Sequence, residues 1–187
     1  MGWDRAASLA LSPTTFSAVV VASLSLRLGL SPAEIAAASA FLVLGPVIPV
    51  LAAARSGAVD IFVSDRAMRT PLLLLAVVSY AAGFLYFRRL GLTEAEFAFL
   101  AYALVTSGMT LVNELHTKGS IHVAGVVGPG LTLLLLGDWA GAAVLAAAPA
   151  VAWIRLRVGA HSPSQVLIGA AVALTFTPAA YAALRIA

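Results

Sequence analysis

The sequence predicts an all-α fold: a polytopic transmembrane helical bundle of six to seven spans, forming one domain over residues 1–187. Three observations carry this expectation. Hydrophobic residues make up 61% of the chain and charged residues 10%, with a mean hydropathy of +1.01, against roughly 25% charged residues in a water-soluble domain. Several uninterrupted apolar runs approach the ~20 residues that a spanning helix needs. Ser or Thr followed by Pro recurs just ahead of such runs, at Ser31-Pro32, Thr70-Pro71 and Ser162-Pro163, which is the cap-plus-first-turn pattern of a helix start.

The remaining composition narrows the class. The Ala and Gly content suits helices packed closely through small side chains. The chain has no cysteine, which excludes disulfides, haem attachment and thiolate metal sites. Its net charge is +3, but the basic residues are spread over the expected helix ends. That distribution points to topology signals and lipid head-group contacts, and no nucleic-acid partner is expected. The N-terminus shows no cleavable signal pattern, and Ala6 departs from the myristoylation motif.

Taken in order, the first segment covers about Thr14 to Leu30, with Arg27 snorkelling at its end. Ser31-Pro32-Ala33-Glu34 is a capping box that opens segment two, which runs to about Ala54 with a kink at Pro46 and Pro49. A polar island spans Arg55 to Thr70. Thr70-Pro71 opens segment three, ending near Phe87 before Arg88-Arg89. Thr93-Glu94-Ala95-Glu96 caps segment four, about Ala95 to Leu115. A second island follows from Asn113 to His122, then segment five, about Gly119 to Leu136, kinked at Pro129-Gly130. Segment six is short and Ala-rich, about Trp139 to Ile154. A third island, Arg155 to Gln165, precedes segment seven, about Ser162 to Ile186. Two crossings separate each island from the next, so all three fall on one membrane face.

That face carries the chemistry. Ser162-Pro163 starts a helix, which puts His161 at a helix N-terminus, where free N–H groups favour an anion. Arg155 ends the helix before it. A cation and an imidazole at the mouth of a membrane bundle point to a phosphorylated lipid. Cleaving a phosphate ester without a metal requires cations on the equatorial oxygens, an in-line nucleophile and an acid for the leaving alkoxide. Imidazole suits the last two tasks because it titrates near neutrality.

The third island resembles a motif of the type-2 phosphatidate phosphatase superfamily, which also includes the vanadium haloperoxidases. The pattern there is Ser-Arg-x5-His-x3-Asp, and this chain reads Ile154-Arg155, five residues, His161, three residues, Gln165. The second motif, Pro-Ser-Gly-His, is matched in Ser and His by Gly119-Ser120-Ile121-His122. The first, Lys-x6-Arg-Pro, is matched loosely by Arg69-Thr70-Pro71, with Phe62 where the Lys would stand. The resemblance covers about Asp60 to Ile186. It implies that His161 is the nucleophile, forming a phosphohistidine, and that His122 protonates the leaving lipid alcohol. Arg69, Arg155 and Ser120 would bind the phosphate, and Lys118 or Arg66 would replace the missing Lys. No metal and no cofactor is implied. The substrate would be a phosphatidate-like or isoprenoid mono- or diphosphate, and the protein a hydrolase of lipid metabolism.

Gln165 stands where the family has a carboxylate that holds the nucleophilic histidine. An amide carbonyl can accept the same Nδ1–H bond without the charge; the equivalent change in a serine hydrolase costs about 10⁴ in turnover. Glu114 and Asp65 are candidate substitutes for the acid. Ser162-Pro163-Ser164-Gln165 is also a capping box, so capping alone is an alternative role for Gln165. His116 reads as a loop histidine. The three histidines with Asp65 and Glu114 lack metal-ligand spacing. Arg66 and Arg157 also read as topology charges. A non-hydrolysing member that binds lipid phosphate or acts as a scaffold is the alternative function, and a transporter a third. Arg5, Arg55, Arg66, Arg69, Lys118, Arg155 and Arg157 lie on the motif side, and Arg27, Arg88, Arg89 and Arg185 on the other. This balance favours a cytoplasmic motif face, but it becomes even if Arg69, Lys118 and Arg155 are counted as phosphate ligands instead. The oligomeric state is left open.

Overall fold

The computed structural model describes every residue except 1–6, 9, 62, 64, 116 and 185–187. What the sequence suggests for Arg5, Ala6, Phe62, His116, Arg185 and Ile186 therefore lies outside the described residues. Among those described there is no strand, and seven helices follow a short helical turn holding Ala7 and Ser8.

Helix α1 is Pro13–Leu28. Helix α2 runs Pro32–Arg55 from the expected capping box. Ser31 Oγ accepts the Glu34 N–H at 3.3 Å, and the Ser31 N–H donates to Glu34 Oε2 at 2.7 Å. The expected kink takes the form of a π-helical turn, Ala40–Leu44. Pro46 has no N–H to continue the ladder, and just before it the Gly45 N–H reaches back to the Ala40 carbonyl. The Ser79 hydroxyl donates to the Phe41 carbonyl within that turn at 2.7 Å. Helix α2 lies at the edge of the bundle, with no buried residue in Gly45–Arg55.

Helix α3, Arg66–Arg89, corrects the expected boundary. Asp65 is its cap, accepting the Ala67 N–H at 2.9 Å, so Thr70 and Pro71 lie inside the helix. Thr70 cannot cap because its hydroxyl is engaged by Glu114 and Asn113 of the next helix. Helix α4, Thr93–Leu115, begins two residues earlier than the sequence pattern places it. It packs along α3, with Phe87 and Phe99 stacked at 5.2 Å. Helix α5 is Ile121–Leu135, capped by Ser120. Helix α6, Ala140–Arg157, is broken at Ala147 just ahead of Pro149. Helix α7 is Pro163–Leu184, and Ser162 and Gln165 form its capping box through bonds of 3.4 and 3.2 Å.

Helices α2, α3, α4, α6 and α7 are long and apolar enough to cross a membrane; α1 and α5 are apolar but shorter. Large apolar side chains such as Leu26, Val78, Leu115, Leu167 and Leu174 face outward, an arrangement suited to lipid and ill suited to water. The interior holds Val20, Leu24, Phe97, Phe99, Val126 and Leu133, packed around the contact of α5 with α4 and α7.

Candidate functional site

The three polar islands meet at one end of the bundle. The second and third are locked by their backbones: the Ser120 N–H donates to the Gln165 carbonyl at 2.9 Å. That approach requires Gly169, since a Cβ there would lie 2.4 Å from the Ser120 oxygen. Gly159, at φ 66°, lets the chain turn from α6 into His161. The first island joins through Arg69, whose guanidinium donates to the Val63 carbonyl at 2.7 Å and to the Gly119 carbonyl at 3.5 Å. Val63 is held at φ 48°, a region β-branched residues avoid and one that recurs at functional sites.

Two guanidiniums are buried here, Arg69 at 5% and Arg155 at 2% exposure, beside His161 at 7%. Arg155, His161 and Arg69 all lie within electrostatic reach of His122. Arg155, Arg69 and Lys118 reach His161, and the two guanidiniums reach each other. Among the described residues, Asp60 is the carboxylate whose charge acts on Arg69 and Arg155. The cluster is therefore strongly cationic, and its shielding from water makes that imbalance costly.

His161 is oriented by Gln165, whose Oε1 lies 3.1 Å from Nδ1. The same oxygen accepts the Ser162 N–H at 3.2 Å, while Nε2 donates to Thr117 Oγ1 at 3.3 Å. These two bonds fix which end of the amide faces the ring. The oxygen can only accept, so Nδ1 carries the proton and Nε2 keeps a free electron pair. Burial, then the Arg155 and Arg69 charges, push the His161 pKa down to about 4. The ring is neutral at ordinary pH. Gln165 thus caps α7 and orients His161 with one oxygen, so the two sequence readings are compatible.

Ser120 is fully buried and its oxygen caps the Val123 N–H at 3.4 Å, which leaves its hydroxyl proton to donate. Arg155 donates to the Ser8 hydroxyl at 2.7 Å. Arg69, Lys118, Ser120, His122, Arg155, His161 and Gln165 are thus brought to one locus. Arg66 is not: it donates to the Asn113 and Glu114 carbonyls at 2.6 and 2.9 Å, closing the end of α4. Asp65 is spent on its cap and Glu114 on Thr70, and neither is among the charges acting on His161. Arg157 stacks on Trp153 at 5.2 Å. Ser8, Asp60, Asn113 and Thr117 were not singled out by the sequence. Asn113, 2% exposed, ties α4 to α3 by donating to the Arg66 carbonyl and Thr70 at 3.1 and 3.0 Å. A polar residue inside an apolar run was its only signal.

No protein-family model, no curated protein and no solved structure matches the chain.

Proposed function

We propose that this protein is an integral-membrane lipid-phosphate phosphatase that hydrolyses a phosphatidate-like or isoprenoid mono- or diphosphate through a phosphohistidine. One observation carries the reading: the buried guanidiniums of Arg69 and Arg155 gather beside His122 and His161, with Asp60 the carboxylate acting on them among the described residues. A tetrahedral dianion complements such a cationic cluster. Its place at the end of an apolar bundle favours a substrate whose tail stays in lipid. The resemblance of the three islands to type-2 phosphatidate phosphatase motifs supports the same chemistry, and α1 and α5 are taken as further spans.

In this mechanism Arg69, Arg155 and Ser120 hold the equatorial oxygens, with Lys118 at the rim. His161 Nε2 attacks phosphorus in line, the P–O ester bond breaks, and the departing oxygen takes a proton from His122. The phosphate charge offsets the cations around His122, which allows its ring to carry that proton. Water then attacks phosphorus, giving a proton to His122, and the P–N bond breaks, which releases phosphate and restores both histidines. Gln165 holds Nδ1–H throughout but adds no charge to stabilise the imidazolium, so turnover is slow relative to a carboxylate-bearing site.

The test is phosphate release by the full chain in lipid-detergent micelles, across phosphatidate and isoprenoid mono- and diphosphates. His161→Ala and His122→Ala should each abolish release, with an acid-labile phosphoryl label on His161 in the parent. Unchanged release in both variants sinks the mechanism. Gln165 favours one second reading, a protein that binds lipid phosphate without cleaving it. Tight phosphate binding with no release from any lipid would establish that instead.

A further inference from the structure

We propose that Ser8, in the turn ahead of α1, is a ligand of the same phosphate, its hydroxyl donating to an oxygen that Arg155 also clamps. This rests on the phosphate-binding reading above. Ser8 is 147 positions from Arg155 in sequence, yet it is 2% exposed and accepts from Arg155 at 2.7 Å. A guanidinium can only donate, so this bond uses the oxygen of Ser8 and not its proton. The proton is left to give, and beside a cationic cluster an anionic oxygen is the acceptor that suits it best. Ser120 faces the cluster with the same logic, its oxygen spent on a backbone N–H and its proton still to give. The two hydroxyls, one from each end of the chain's folded site, would bracket the anion. Ile154, next to Arg155 in the third motif, supplies no hydroxyl, whereas the N-terminal turn brings one to the same guanidinium. The turn is itself anchored, because the Leu11 N–H donates to the Ala7 carbonyl at 2.9 Å just ahead of α1.

The experiment is calorimetric titration of the full chain in detergent with inorganic phosphate. Hydrogen bonds to charged groups contribute about 1.5–3 kcal/mol, so Ser8→Ala should weaken phosphate binding at least about 10-fold, whereas Ser8→Thr, which keeps the hydroxyl, should stay within about 2-fold. A residue acting only through Arg155 would lose its influence once the fork is gone. Ser8→Ala should therefore still weaken binding in an Arg155→Lys background. Unchanged affinity in Ser8→Ala, or a cost that vanishes in that background, overturns the proposal. If Ser8→Ala does not elute as a folded species, Ser8→Cys, a near-isostere with a weak donor, gives the same comparison. Phosphate binding that depends on Ser8, with no release from any lipid phosphate, would refute the phosphatase reading while leaving Ser8 as a phosphate ligand.

Discussion

The two ends of the bundle use charge in opposite ways. At the end away from the site, Arg27 and Arg88 each lie beside a carboxylate. Arg27 donates to both Glu94 oxygens at 3.0 and 3.1 Å, with each side chain about one-third exposed. Arg88 lies 3.9 Å from Glu96. Asp138 accepts from Ser23 and from the Ala140 N–H, which hold its carboxyl below the usual carboxylate range. At the site end the guanidiniums of Arg69 and Arg155 are buried beside two imidazoles, and among the described residues Asp60 is the carboxylate whose charge acts on them. Exposed pairs hold helices in register and contribute little each. A buried, predominantly cationic cluster carries a desolvation cost that an anionic ligand would offset. The difference separates charges that serve the fold from charges that serve a ligand.

The sharpest way to break this contrast is Arg155→Met, which keeps the bulk and removes the charge. Removing one preorganised donor from a developing oxyanion costs about 10²–10³ in rate, so phosphate release should fall by about 10³. The rise in Tm that phosphate gives the parent should vanish with it, since binding only to the folded state stabilises in proportion to RT ln(1 + [L]/Kd). The unliganded variant should remain folded, because the substitution also removes the repulsion between Arg155 and Arg69. A variant that keeps its phosphate-dependent Tm shift would show that the cluster is not the binding site.

Next in size is Gly169→Ala. The added methyl would sit 2.4 Å from the Ser120 backbone oxygen, so α5 and α7 must separate, carrying Ser120 and His122 away from His161. A misplacement of about 1 Å can cost about 10² in rate. Release should fall by that order, while an added methyl at Gly137, on the other end, should leave it unchanged. Release rates of the two variants measured side by side provide the check.

How much of this could be read in advance depends on what each signal competes with. The caps at Ser31 and Ser162 were legible because the partners of those hydroxyls, Glu34 for the first and Ser164 and Gln165 for the second, lie within three residues. The Thr70-Pro71 start was misread because Thr70 is bound by Asn113 and Glu114 from α4, a tertiary contact no local pattern contains. The convergence of the islands at one end followed from counting helices, and the structure agrees: Ser120 meets Gln165, and Arg69 meets Gly119. Arg66 and the two proposed acids, Asp65 and Glu114, failed for one reason. Charge and proximity in sequence do not say which way a side chain turns, and all three serve helix ends. Ser8 and Asp60 were out of reach because their partners are remote in the chain, and the left-handed Val63 carries no sequence mark.

Gln165→Glu should give a gain of about 10-fold in release, together with a shift in pH dependence. In the parent, the pKa of His161 lies at about 4, below its usual 6.5, so the nucleophilic neutral ring persists down to about pH 4. A carboxylate on Nδ1 stabilises the imidazolium and raises that value, moving the acid limb of kcat/KM upward. Stability follows the same sign. Between pH 6.5 and 4 the unfolded chain binds a proton at His161 that the folded chain does not. This contribution is complete above about pH 6.5 and is lost as pH falls through about 4. The Tm of the parent should therefore drop over that window, and Gln165→Glu should flatten the drop. An acid limb that does not move would separate Gln165 from His161 in function.

The smallest expected effect is the most discriminating control. Arg27→Ala removes a bidentate partner from Glu94, yet both side chains are partly exposed and the released carboxylate can be hydrated. Exposed pairs of this kind contribute about 0.2–1 kcal/mol, so Tm should fall by a few degrees at most and phosphate release should hold within about 2-fold. Neutralising a cation at the site end and one at the far end removes the same charge from the chain. Only the first should alter phosphate binding, because there the positive charge is buried beside Arg69 and His161. If Arg27→Ala lowered phosphate affinity as much as Arg155→Met, net charge would govern binding, and the local imbalance at the motif end would not.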